Sequence, residues 1–126
     1  MRVLLATTHP QFRWALRTVL GEEPALEVVG EVSASRSLLS QAKALHPDLI
    51  LVDWDLLEKP QARSLAALHN GHAPCGILVV SEQPESREAA LSAGADAFLC
   101  KCDPPDQFLA TLRALLRGCE VGGPKS

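Results

Sequence analysis

Short apolar runs alternate five times along this chain with segments of helical spacing, the pattern of parallel strands covered by helices on both faces. The runs are Val3 to Ala6, Leu26 to Val29, Leu49 to Asp53, Ile77 to Val80 and Ala97 to Cys100, each of a length that suits one strand. Leu49 to Val52 and Ile77 to Val80 are apolar without alternation, which predicts strands buried on both sides in the middle of the sheet.

Helical spacing fills the intervals. Phe12, Leu16, Val19 and Leu20 share one face, with Pro10 where a first helical turn tolerates it, and Trp14 falls nearly opposite that stripe. Leu38, Leu39, Ala42 and Leu45 make a second helix, closed at His46 because a residue before proline is pushed out of helical geometry. Leu65 and Leu68 anchor a third. Ser86 to Ala93 form a fourth that stops at Gly94, and Phe108, Leu109, Leu112, Leu115 and Leu116 line a fifth expected to stop at Gly118.

Right-handed crossovers gather the carboxyl ends of parallel strands at one edge, where open sheets bind ligands. The residues delivered there are Thr7 and Thr8 after the first strand, Asp53 ending the third, Ser81 after the fourth and Lys101 after the fifth. An aspartate, a hydroxyl and a lysine converging from three strands form a specific set. His9, just before Pro10, reads as a surface or capping residue.

Composition narrows the function classes. The 126 residues suit one domain, expected over 1–118 with a tail or linker stub at 119–126. With 15 acidic and 12 basic residues and no long run of like charge, direct binding to nucleic acid is not expected. No apolar stretch approaches the roughly 18 to 20 residues that span a bilayer, and the N-terminus lacks a signal-peptide core, so membrane association is not expected and a cytoplasmic location is. Cys75, Cys100, Cys102 and Cys119 include no CxxC pair and are expected to be reduced, partly buried thiols. "ATTHPQFR" offers no glycines to cradle phosphates, and neither a dinucleotide fingerprint nor GxSxG occurs, which argues against a nucleotide or flavin domain and against a hydrolase. No enzyme activity is expected.

"RVLLATTHPQFRWALRTVL", "LEVVGEV", "DLILVDWDL", "ILVVSE" and "AGADAFLCK" together resemble the receiver domains of two-component response regulators, CheY-like in type and closest to the receivers of LuxR-type or NarL-type regulators. The resemblance runs from Arg2 to about Gly118. It implies the flavodoxin-like, doubly wound (βα)5 fold with five parallel strands in the order 2-1-3-4-5. It also implies Asp53 as the phosphoacceptor position, Ser81 as the phosphate-sensing hydroxyl, Lys101 as the lysine of the site and Phe98 as the switch aromatic.

Two departures from that family pattern matter. Thr7 and Thr8 stand where the family carries the acidic pair that holds magnesium, and Leu57 and Gln61 replace a proline and a glycine after the phosphoacceptor. A site with three carboxylates and one lysine sums to about −2, which a divalent cation neutralises. Asp53 and Lys101 alone sum to zero. Magnesium wants several hard anionic oxygens, so no cofactor is expected, or at most weakly bound Mg2+ with Asp53 and Asp55 as candidate ligands. Losing even an outer-sphere partner costs roughly tenfold to a hundredfold in metal affinity, about 1.4 to 2.7 kcal/mol.

Bland readings stand beside these. Asp53 and Lys101 form either a phosphorylation site or a plain ion pair closing the sheet, Thr7 and Thr8 can serve backbone groups as turn residues, Ser81 can cap a turn, and Asp55 can be an ordinary loop residue. Two functions follow. One is a pseudo-receiver, a regulatory interaction module with impaired magnesium-dependent phosphorylation, which the missing acids favour. The other is a working receiver phosphorylated on Asp53 by a histidine kinase and controlling a transcription output. Either implies a protein partner, with homodimers expected through helices one and five or through helix four, strand five and helix five.

Overall fold

The two uninterrupted apolar runs form β3 (Leu49–Asp53) and β4 (Gly76–Ser81), and every residue of both is buried. β1 (Arg2–Ala6) lies between β3 and β2 (Glu27–Val32), while β5 (Ala97–Cys100) lies beyond β4. All four pairings are parallel, in the order β2-β1-β3-β4-β5. This computed structural model describes residues 2–69, 76–101 and 104–122, with the side chains of 105 and 116–122 outside the description.

The two-residue period of a strand sorts its side chains between two layers. Leu4, Ala6, Ile50, Val52, Ile77 and Val79 pack with residues of α2 (Ser35–Leu45), α3 (Gln61–His69) and α4 (Ser86–Ser92). Val3, Leu5, Leu49, Leu51, Leu78 and Val80 pack with α1 (Pro10–Leu20) and α5 (Pro105–Gly122). Each of these Val, Leu and Ile side chains, fully buried, contributes about 1.5–3 kcal/mol. Both faces of the sheet are therefore pinned, and its carboxyl edge is a rigid platform.

Helix ends follow their local chemistry. α1 begins with Pro10 in its first turn, and α2 closes at His46, which takes a left-handed conformation at φ 50° and donates its N–H to the Ala42 carbonyl. Three expectations are corrected. β2 leaves Leu26 outside and continues past Val29 to Val32, because Gly30 fits inside a strand under close packing. A Cβ added at Gly30 would lie 2.5 Å from Leu45 Cδ1 and 3.2 Å from Leu4 Cδ1. Gly30→Ala is thus expected to cost about 1–3 kcal/mol of stability by overpacking, read in urea unfolding; a neutral result would mean that Leu45 swings aside freely. Next, α5 passes through Gly118 and ends at Gly122, since a glycine inside a helix costs only about 1 kcal/mol and stops it only where a left-handed cap is needed. Finally, Cys100 is disulfide-bonded rather than reduced. Bridging depends on spatial proximity of Cβ atoms, which linear spacing does not reveal. Cys75 and Cys102 fall outside the description, as do the last four tail residues, 123–126.

Candidate functional site

Strand register brings the expected residues together. β3 pairs with β4 so that Asp53 lies opposite Val80, and β4 pairs with β5 so that Ser81 lies opposite Cys100, which puts Lys101 one step past the sheet. Beyond the end of β1, the Thr7 N–H donates to the Val32 carbonyl, and the Lys101 N–H donates to the Ser81 carbonyl at 2.7 Å. These bonds extend the ladder and fix where the side chains start.

Asp53 is the centre of the cluster and is only 1% exposed. Lys101 Nζ donates to its Oδ2 at 2.5 Å, and the Thr7 hydroxyl makes a longer contact with the same oxygen at 3.4 Å. Its Oδ1 accepts the Asp55 N–H at 3.2 Å, capping the 3-10 turn Trp54–Leu56. Both carboxylate oxygens are thereby engaged. The Lys101 ammonium also sits 4.6 Å from the centroid of the Phe12 ring, so an aromatic face and an anion hold it from two sides.

The remaining residues take structural positions. Thr7 is buried and its Oγ1 accepts the His9 N–H at 3.2 Å, whereas Thr8 is exposed. Ser81 is buried, and its hydroxyl accepts the Gln83 N–H at 3.1 Å, a turn-capping contact. Phe98 is buried with the Arg87 guanidinium 5.4 Å above its ring. The Asp55 side chain is exposed. No buried side-chain nitrogen or oxygen among the described residues lacks a partner.

Sequence reasoning missed one pair of neighbours. His9 Nε2 lies 3.9 Å from Asp53 Oδ2 and 3.8 Å from Glu82 Oε1, at the solvent rim of the cluster. The signal was present, because a residue two places after Thr7 and one just after Ser81 both overhang the same edge.

A doubly wound parallel sheet with a buried aspartate, a hydroxyl and a lysine at its carboxyl edge defines a receiver-type signalling domain. Known proteins agree. The response regulator receiver domain family matches residues 3–113. The chain is 30% identical over 122 residues to the nitrate/nitrite response regulator protein NarP of Escherichia coli (strain K12), covering 95% of this chain and 57% of that protein. Among solved structures, the signal receiver domain of a NarL response regulator from Mycobacterium tuberculosis superposes with a TM-score of 0.79 at 27% identity, over 93% of this chain and 96% of that one. RcsB from Salmonella enterica serovar Typhimurium, bound to promoter rprA with phosphomimetic BeF3−, shares the fold at a TM-score of 0.81 and 22% identity, over 94% of this chain and 62% of that one. This chain belongs to the response regulator receiver domain family. It spans little more than half the length of the curated relatives it matches.

The donor set does not fit the family's magnesium. Among the described residues only Asp53 presents a buried carboxylate, and Thr7 offers a neutral hydroxyl that already accepts the His9 N–H. No group of three or more His, Cys, Asp or Glu among the described residues is arranged to hold a metal. No described helix is long and apolar enough to cross a membrane.

Proposed function

We propose that this chain is a pseudo-receiver, a regulatory interaction module of a NarL-type two-component system whose phosphorylation chemistry is impaired. The supporting observation is the Lys101 to Asp53 contact of 2.5 Å at a site where Thr7 and Thr8 replace acids, so that one anion and one ammonium already balance. Phosphoryl transfer to a carboxylate builds negative charge around the incoming group, and a divalent ion normally offsets it. Apart from His9, whose imidazole lies 3.9 Å away at the solvent rim, the basic side chain beside Asp53 among the described residues is Lys101, and its charge is already committed.

Incubation with a small phosphodonor and millimolar magnesium, followed by intact-mass measurement, is expected to leave most of the protein unmodified. Stoichiometric mass gain that vanishes in Asp53→Asn would establish instead a working phosphoacceptor served by a histidine kinase.

A module that does not switch by phosphate is governed by association. Trp14 is 71% exposed on α1, and large aromatic side chains in such positions anchor interfaces. A homodimer through α1 and α5 is the arrangement this favours over the face made by α4, β5 and α5. Light scattering across a concentration series should show self-association that Trp14→Ala weakens about tenfold or more; equal association in the variant removes α1 from the interface.

A further inference from the structure

The β3–α3 connection, where Leu57 departs from the family pattern, forms one wall of a groove of about 270 Å³ between α2 and α3. Its floor is apolar, made by Leu38, Leu39, Leu57 and Leu68, and two arginines line it, Arg36 from α2 and Arg63 from α3. The other arginines with described side chains are all employed. Arg13 and Arg17 pair with Glu31, Arg113 pairs with Glu23, Arg2 donates to the Leu45 carbonyl, and Arg87 lies over Phe98. Arg36 and Arg63 alone among them have neither an ion pair, a side-chain hydrogen bond nor a ring contact among the described residues. The two arginines without partners, both exposed to solvent, therefore line the same groove.

We infer that this groove binds a small amphipathic anion, with an apolar, flat body on the leucine floor and a phosphate or carboxylate group held by Arg36 and Arg63. Guanidinium is suited to the role because its planar fork matches two oxygens of such a group and it sheds water more readily than an ammonium does. Glu58 also lines the groove and subtracts one charge, which leaves a net positive rim that selects a singly or doubly charged group over a polyanion. The cavity volume lies just below the range of drug-sized sites, which run from about 300 to 1,000 Å³, and suits a smaller ligand. Leu57 directly follows the turn that Asp53 caps, so an occupant presses on the segment carrying the central carboxylate. This assignment rests on the groove alone and is independent of whether Asp53 accepts phosphate.

The test is a titration of the unphosphorylated, isotope-labelled chain with 2-naphthyl phosphate, followed by amide chemical shifts. Its two halves, inorganic phosphate and 2-naphthol, are titrated separately. Saturable shifts at the start of α2, at residues 57–58 and at 63–68 are expected, with each half binding at least tenfold more weakly than the whole. Arg36→Gln with Arg63→Gln should weaken binding about tenfold or more, because charge-assisted hydrogen bonds are lost, while the unfolding midpoint stays unchanged. Arg13→Gln serves as the control and should bind as the parent does. Shifts centred on α1 and α5, binding untouched by the double substitution, or naphthol binding as tightly as its phosphate would each overturn the assignment.

Discussion

Lys101→Met is expected to lower the free energy of unfolding by about 3–5 kcal/mol, because it leaves the Asp53 carboxylate buried with its charge uncompensated. Thr7 and the Asp55 N–H remain as partners, which places the loss toward the lower end of that range. Asp53→Asn tests the same electrostatics from the other side. Where several carboxylates crowd one site, neutralising one relieves repulsion and stabilises the fold; at a site that already sums to zero, the same change strands an ammonium and destabilises it. The expected loss is smaller, about 1–2 kcal/mol, since the Lys101 side chain is 10% exposed and its head can shift toward water. Combining the two substitutions should recover much of the sum, with a coupling of about 1–3 kcal/mol in a double-mutant cycle. Urea unfolding at neutral pH without divalent ions measures all four proteins. A stabilising Asp53→Asn would show that uncompensated negative charge persists at the site, and the electroneutral picture would fail.

The sheet was legible because its signals are local. Uninterrupted apolar runs fixed β3 and β4 to within a residue, and Pro10, Pro47 and Gly94 punctuated helices where backbone chemistry demands it. The strand-end rule then delivered Thr7, Asp53, Ser81 and Lys101 to one edge, and the structure brings them together there. What stayed hidden depends on contacts distant in sequence. The expected second strand ended at Val29, because no local pattern announces that Leu45 and Leu4 occupy the space a side chain at Gly30 would need. Gly118 read as a stop because the cost of glycine in a helix is too small to overrule the packing on either side. The Lys101 contact with Phe12 spans most of the chain, and His9 approaches Glu82 only once β1 and β4 lie in one sheet. Arg36 and Arg63 look like ordinary surface charge until the other arginines are seen to have partners.

Returning acids to the first crossover reverses the charge balance and gives the second large effect. In Thr7→Asp with Thr8→Asp, the new residue 7 carboxylate would lie close to Asp53 Oδ2, since the hydroxyl it replaces is 3.4 Å from that oxygen in a position 1% exposed. Two unit charges about 4 Å apart repel by roughly 4 kcal/mol at an effective dielectric of 20. Lys101 offsets part of this, so a net destabilisation of about 2–3 kcal/mol is expected without metal. Three carboxylates against one ammonium then recreate a site that attracts a small hard dication. Magnesium at a hundred times its dissociation constant should return about 2.7 kcal/mol, because it binds the folded state alone. Thermal unfolding of both proteins across a magnesium series is the measurement. The doubly substituted chain should rise steeply in midpoint and the parent should stay flat; equal rises would mean that Thr7 and Thr8 never prevented metal binding.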